Sequence, residues 1–387
     1  MSDDFKMSAA QKVKILSDLV AFKSVNDHEI DVAKYIQNLL KQYDIEAKIL
    51  PITDTRADLV AEIGSGHPVL GVSGHMDVVA TGDETKWHTD PFKLTKKDGQ
   101  LYGRGAADMK SGLAALVIAL IEIKTNRLLK QGTIRLMATM GEEVGELGSR
   151  KFADEGYMND VDALVIGEPS GYDVAYAHKG SMDLRLSSAG KAAHSSMPEQ
   201  GYNAIDPLLD LLVKANQAFR ETDKKSALLG QLTFNTTIFN GGDQVNSIPE
   251  SASAEINVRT VPEFNNDAVK KQMEALVDQQ NSRGAKISLD IYMSQPAIET
   301  TGDSFLISLI KEIGNHYAEN PVKAVPLPAV TDASNLLHGK GKDFPLAIFG
   351  PGSNSVHQVD EYVSQQMFLN FTDIYVELFS RYLNESN

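Results

Sequence analysis

Two histidines and five carboxylates stand where apolar runs give way to polar loops. They are His75 and Asp77 in Ser73-Gly74-His75-Met76-Asp77, Asp108 after Gly103-Arg104-Gly105, Glu142 and Glu143 after residues 133–140, Glu168 after 163–166, and His357 after Gly350-Pro351-Gly352. In an extended segment, residues two apart project from one face, so His75 and Asp77 share a side. A histidine can ligate a metal through one ring nitrogen while a carboxylate holds the proton of the other. Five carboxylates gathered in one patch do not all stay ionised without positive charge beside them, so convergence of these loops implies cations. The chain has no cysteine, which leaves His, Asp and Glu as ligands. Two zinc ions sharing oxygen ligands suit this inventory, with Asp108, on a glycine-rich loop, as the candidate bridge. Three carboxylate ligands and a hydroxide then balance the two ions. Glu142 and Glu143 are adjacent, and in extended backbone they point to opposite sides. Glu143 is therefore assigned as a ligand and Glu142 as the general base that moves a proton from water to the leaving amine.

These residues need a scaffold of strand ends. Residues 69–72 read as a buried strand and 47–50, 57–63, 133–140 and 163–166 as further strands, while helical spacing marks residues 8–43 and 110–123. Ser24-Val25-Asn26-Asp27 interrupts the first helical stretch, with Asn26 or Asp27 expected to cap its second half. Strands alternating with helices predict an α/β catalytic domain whose mixed, mainly parallel sheet is flanked by helices and offers ligands at its strands' carboxyl ends. Near residue 179 the pattern changes. Alternating strands at 181–187, 232–239, 253–261 and 286–292, with helices at 204–218 and 266–280, match an inserted ferredoxin-like α+β domain. Helix-strand alternation then returns and closes on a helix over 365–383. The expected boundaries are 1–179 and 294–387 for the catalytic domain and 180–293 for the insert.

Composition narrows the partners. Of 387 residues, 42% are hydrophobic and 23% charged, as in soluble domains. The net charge of −15 argues against nucleic acid and anionic membranes. Residues 113–121 form the longest apolar run, too short to span a bilayer, and residues 1–14 lack an apolar signal core, so a cytoplasmic protein is expected.

Taken together, Ser-Gly-His-Met-Asp, Gly-Arg-Gly-Ala-Ala-Asp-Met-Lys-Ser-Gly, Gly-Glu-Glu-Val-Gly, Gly-Glu-Pro and the segment from His357 to Glu361 resemble the co-catalytic zinc peptidases and deacylases. That family includes acetylornithine deacetylase, succinyl-diaminopimelate desuccinylase, carboxypeptidase G and the aminoacylases. The resemblance implies that Asp108 bridges two zincs, His75 and Glu168 hold one, and Glu143 and His357 hold the other. It also implies that Asp77 orients His75, that Glu142 is the base, and that the peptide after Asp108 is cis. The inserted domain becomes a lid through which two chains form a homodimer. Its His194, in Ala192-Ala193-His194-Ser195-Ser196, would reach the partner's site and stabilise the oxyanion. Asn246 and Arg259 would hold a substrate carboxylate, with Lys179, Gly180, Ser181 and Asp332 as further pocket residues. Two departures stand out: Pro328-Ala329 and Ser334-Asn335 flank Thr331-Asp332-Ala333 where desuccinylases carry paired glycines and a basic residue, and the closing motif reads His-Gln-Val-Asp-Glu.

The implied activity is metal-dependent hydrolysis, with zinc (or cobalt or manganese), of the amide of an N-acylated amino acid, in the manner of an acetylornithine deacetylase or succinyl-diaminopimelate desuccinylase. A dipeptidase or aminopeptidase of the same family is the nearest alternative, and a non-catalytic binding protein is the alternative from another class.

Overall fold

The strand Val69–His75 is buried at every residue, which places it in the middle of a sheet rather than at an edge. The computed structural model describes residues 5–386. The chain divides into two units, one comprising Met1–Tyr176, Thr300–Val325 and Thr331–Asn387, the other Ala177–Glu299 and Pro326–Val330. Residues 1–4 and 387, which the expected catalytic domain includes, lie outside the described residues.

In the first unit the sheet runs in the order Ala47–Pro51, Ala57–Ser65, Gly132–Thr139, Val69–His75, Ala163–Pro169, Leu346–Gly350, Val174–His178. The four central strands are parallel, Val69–His75 pairing with both Gly132–Thr139 and Ala163–Pro169, and Leu346–Gly350 with Ala163–Pro169. The outer pairings are antiparallel. Parallel strands buried on both faces read as continuous apolar runs, and these do. Their carboxyl ends all lie on one rim, where His75, Thr139 and Glu168 stand.

The helix Lys110–Asn126 is apolar all round, and its residues from Lys110 to Ile123 are buried. Such a helix must be covered on every side. It packs on the strand Val69–His75 and beneath the helices Ala9–Ala21 and Gln365–Glu385. At Gly112 it approaches the sheet so closely that a Cβ would fall on the carbonyl oxygen of Gly167. Gly350 approaches the same carbonyl from the neighbouring strand. Main chain therefore touches main chain between Asp108 and Glu168. Gly112→Ala should push helix from strand and cost about 1–3 kcal/mol, as overpacked cores do. Thermal unfolding of the metal-free protein checks this, and an unchanged Tm would refute it.

Neither Asn26 nor Asp27 caps the helix Glu29–Lys41. Its N-cap is His28, in the left-handed region, and Asp27 Oδ1 instead accepts the His28 N–H at 2.7 Å. The reason is a tie elsewhere: the N–H of Asn26 donates to the Val78 carbonyl and that of Val78 to the Ser24 carbonyl. This holds the segment beside the His75 strand, and the helix begins later than the residue types suggest.

The second unit follows the expected strand-helix-strand-strand-helix-strand order. Its four strands lie as Thr233–Gly241, Ser251–Thr260, Gly180–Ala189, Ile287–Gln295, all antiparallel. Residues alternate buried and open along Ser251–Thr260. The helices Ile205–Arg220 and Asn266–Asn281 pack on this sheet through Leu208, Leu211, Ala215 and Phe219, and through Val269, Met273 and Val277. Asn265 caps the second of these helices by accepting the Ala268 N–H. Among the described residues no helix is long and apolar enough to cross a membrane.

Candidate metal centre

The rim of the first unit gathers the seven sequence-predicted groups into one patch. His75 ends its strand with its ring fully buried, and its Nδ1–H donates to the main-chain carbonyl of Asp77 at 2.9 Å. That bond sets the tautomer and leaves Nε2 free to ligate. The Asp77 carboxylate is farther off, at 3.6 Å. It was expected to hold the ring proton, but the strand ends at His75, so the backbone turns and presents the carbonyl instead. Asp77 uses its carboxylate elsewhere: Oδ1 accepts the N–H of Glu142 and Oδ2 that of Glu143, each at 3.2 Å.

Asp108 faces both halves of the patch. His75 Nε2 lies 3.1 Å from its Oδ1, and His357 Nε2 lies 3.3 Å from its Oδ2. Glu168 Oε1 lies 3.6 Å from His75 Nε2, and Glu143 Oε2 lies 3.1 Å from His357 Nε2. The peptide Asp108–Met109 is cis. Glu142 and Glu143 open a 3-10 turn, Glu142–Val144, between Gly141 and Gly145, both left-handed. The extended backbone expected there is absent because Asp77 gathers both N–H groups to one side. Successive residues of such a turn still diverge by about a third of a revolution, so the two carboxylates part.

Electrostatics follow from crowding. Burial works against charge on His75, but Glu168, Asp108, Glu142 and Asp77 outweigh it and hold the ring's pKa well above its ordinary value. Burial likewise pushes Asp108 up, and hydrogen bonds from His357 and His75 more than reverse that, leaving it below the usual carboxylate range. Glu142, Glu143 and Glu168 are all raised, burial being the largest cause in each; for Glu142 the charge of Glu168 adds to it. His357 is pushed up to about 10 by its hydrogen bonds to Asp108 and Glu143. Crowding in the patch thus favours protons on both histidines and on the three glutamates.

The donor set fits divalent cations. Ligand atoms of His75, Asp108 and Glu168 lie within 4.8 Å of one another, as do those of Asp108, Glu143 and His357, and those of His75, Glu142 and Glu143. The first two groups share Asp108 and use one of its oxygens each. Glu168 Oε1 is buried without a hydrogen-bond partner among the described residues. All-oxygen-and-imidazole sets of this kind suit zinc, cobalt or manganese.

Several supporting contacts join residues far apart in the sequence. Thr139 Oγ1 donates to Asp332 Oδ2 at 2.6 Å, joining the strand beside His75 to the segment that opens the helix Ala333–Leu336. Asp332 is 1% exposed, so it meets the rim from inside the protein. Asn335 Nδ2 donates to the Glu146 carbonyl and carboxylate at 3.1 Å each and to Ser149 Oγ at 3.0 Å. Glu146 in turn closes the acidic loop, its N–H donating to the Gly141 carbonyl at 2.7 Å.

The remaining candidates belong to the second unit. His194 is exposed and pairs opposite Ser247, and the neighbouring Ser195 N–H donates to the Asn246 carbonyl at 3.0 Å, so His194 and Asn246 stand on adjoining segments. The Ser196 N–H points at His194 Nδ1 at 3.2 Å. Nδ1 is therefore the acceptor and Nε2 carries the proton. Arg259 lies directly opposite Ser181 across neighbouring strands. Ser181 is buried, and Lys179 Nζ donates to the Gln231 carbonyl at 2.6 Å, burial lowering its pKa.

Comparison with known proteins gives a consistent result. Residues 71–381 match the model of peptidase family M20/M25/M40. A probable succinyl-diaminopimelate desuccinylase of Staphylococcus epidermidis is 43% identical over 98% of this chain and 99% of its own. Among solved structures, an M20 family metallo-carboxypeptidase of Sulfolobus solfataricus superposes with a TM-score of 0.83 at 17% identity, covering 98% of this chain and 100% of that one. A dinuclear metal-binding M20 peptidase of Bacillus subtilis superposes with a TM-score of 0.71 at 18% identity, over 97% and 98% of the two chains.

Proposed function

The chain belongs to peptidase family M20/M25/M40, and from that footing we propose that it is a metal-dependent amidohydrolase that removes the succinyl group from succinyl-diaminopimelate. The observation that carries the chemistry is Asp108, whose two oxygens address two separate histidine-carboxylate sets. The substrate class rests on the probable desuccinylase matched over nearly its whole length; a step of lysine biosynthesis, carried out in the cytoplasm, is part of the proposal.

In this reading His75, Asp108 and Glu168 would hold one zinc, and Asp108, Glu143 and His357 the second; cobalt or manganese would serve the same donors. Bound metals supply Lewis-acid polarisation of the amide carbonyl and acidify a water. Asp77 fixes His75 through its carbonyl and fixes the Glu142–Glu143 pair through its carboxylate. Glu142 takes a proton from the attacking water and returns it to the departing nitrogen, so that amide and water become succinate and a free amine. His194, reaching over from a second copy of the chain, would offer its Nε2–H to the developing oxyanion. Arg259, whose fork suits a carboxylate, and Asn246 hold the substrate's carboxylate, with Lys179 and Ser181 nearby in sequence and strand register. Asp332 supports the rim through Thr139.

A homodimer through the second unit completes the proposal. Thr233–Gly241 is an edge strand of that unit's sheet, and Ile238 and Phe239 on it and Leu209 and Val213 on the helix Ile205–Arg220 are exposed. Exposed apolar side chains beside a free strand edge suit pairing with a second copy.

The test is a screen of zinc-loaded protein against N-succinyl and N-acetyl diamino acids and dipeptides. Succinyl-diaminopimelate should be turned over fastest. Faster cleavage of dipeptides would overturn the substrate assignment. A second expectation concerns pH. His357, raised to about 10, keeps its proton at every lower pH, and a metal must displace it. Metal affinity should therefore rise by about tenfold or more per pH unit from neutrality toward pH 10. Chelator competition at a series of pH values reads this directly, and a flat profile would remove His357 from the ligand set.

A further inference from the structure

The loop that delivers Asp108 is wrapped around a single buried carboxylate contributed from far along the chain. Glu361 is fully buried. Its Oε1 accepts the N–H of Ala107 at 2.8 Å and of Asp108 at 2.9 Å. Its Oε2 accepts the N–H of Gly105 at 3.1 Å and Arg104 Nη1 at 2.5 Å. Its own carbonyl accepts the Gly103 N–H at 2.9 Å. Among the described residues, the hydrogen bonds that Glu361 accepts all come from residues 103–108. The strand Tyr362–Ser364 pairs with Gln100–Tyr102, which sets Glu361 beside the start of the loop.

The loop can converge on one anion because Gly105 is left-handed, at φ +83, and a Cβ there would meet Val78 Cγ1 at 2.7 Å. Successive N–H groups then turn inward and form a concave anion-binding surface. The charge of Glu361 is met by Arg104, whose Nη2 also donates to the Ala80 carbonyl at 3.1 Å and whose guanidinium lies 5.3 Å from the Trp87 ring. Removing one partner of such a buried pair is costly, so the arrangement holds as a unit.

We propose that Glu361 is a positioning residue for Asp108: it pins the Asp108 N–H and the turn before it, so that the Asp108 carboxylate is held between His75 and His357. The inference rests on the reading of Asp108 as the shared ligand. Without Glu361 the main-chain N–H groups of 105, 107 and 108 lose their acceptor, and the loop relaxes toward water. Asp108 then no longer presents both oxygens at once. This also accounts for the closing motif: the histidine and the glutamate act on the two faces of one aspartate.

The experiment is titration of metal-free protein with Co2+ alone, by chelator competition, alongside thermal unfolding of the same metal-free samples. Glu361→Gln places an amide N–H where an acceptor is needed, and Co2+ affinity should fall by about 10- to 100-fold, the range for residues that orient ligands. Glu361→Asp keeps the charge but withdraws it by one methylene, and should fall in between. Asp108→Asn is the reference. If Asp108→Asn binds Co2+ as the unmodified chain does, the shared-ligand reading fails. If Asp108→Asn loses Co2+ while Glu361→Gln, folded but of lower Tm, binds at full affinity, Glu361 is only a fold-stabilising residue and the inference is overturned. Should Glu361→Gln not fold, Glu361→Asp decides alone: folded protein of undiminished affinity overturns the inference, and weakened affinity supports it.

Discussion

Glu142→Gln should lower kcat by about two to four orders of magnitude while both metals stay bound. The substitution keeps the size of the side chain and removes its ability to take a proton. It leaves intact the groups His75, Asp108, Glu168 and Asp108, Glu143, His357. The Asp77 hydrogen bond to the Glu142 N–H is main-chain and survives too. A rival arrangement exists at the same rim, since His75, Glu142 and Glu143 also offer ligand atoms within 4.8 Å of one another. If Glu142 is a ligand, the variant loses metal as well as rate. Metal content and kcat measured on one sample therefore separate the two roles. Retained metal with unchanged kcat would exclude Glu142 as the base, and lost metal would make it a ligand.

Much of this arrangement was legible because chemistry and scaffold leave different marks. Strand ends were marked by apolar runs stopping at His75, Glu142 and Glu168, and parallel pairing then brings those ends to one rim. Alternation identified the four long strands of the second unit to within about three residues at each end. What was not legible depends on where the backbone turns. The carbonyl of Asp77, not its carboxylate, meets His75, and a list of residue types carries no direction for a carbonyl. Glu361 bonds to residues more than 250 positions earlier. Glu146 and Asn335 meet across 189 positions. Such partners are joined only when the sheet is assembled, and no local spacing encodes them. The cap at His28 failed to show for the same reason: a remote tie to Val78 moved the start of a helix.

Replacing His194 with alanine should lower kcat by about 100- to 1,000-fold and change substrate binding little. The expectation follows from its tautomer. With Nδ1 accepting the Ser196 N–H, Nε2–H is the donor that the side chain presents. Such a donor matters most where negative charge develops, and removing one from an oxyanion site costs about 3–4 kcal/mol in the barrier. The substrate's carbonyl oxygen carries little charge before attack, so the same donor adds little to ground-state affinity. The loss should appear in kcat and kcat/KM together. His194→Asn, which retains an N–H donor on a shorter arm, should recover part of the rate. Glutamine reaches farther and should recover more. Should His194→Ala instead raise KM at constant kcat, the histidine binds substrate in its ground state, and the oxyanion role is lost.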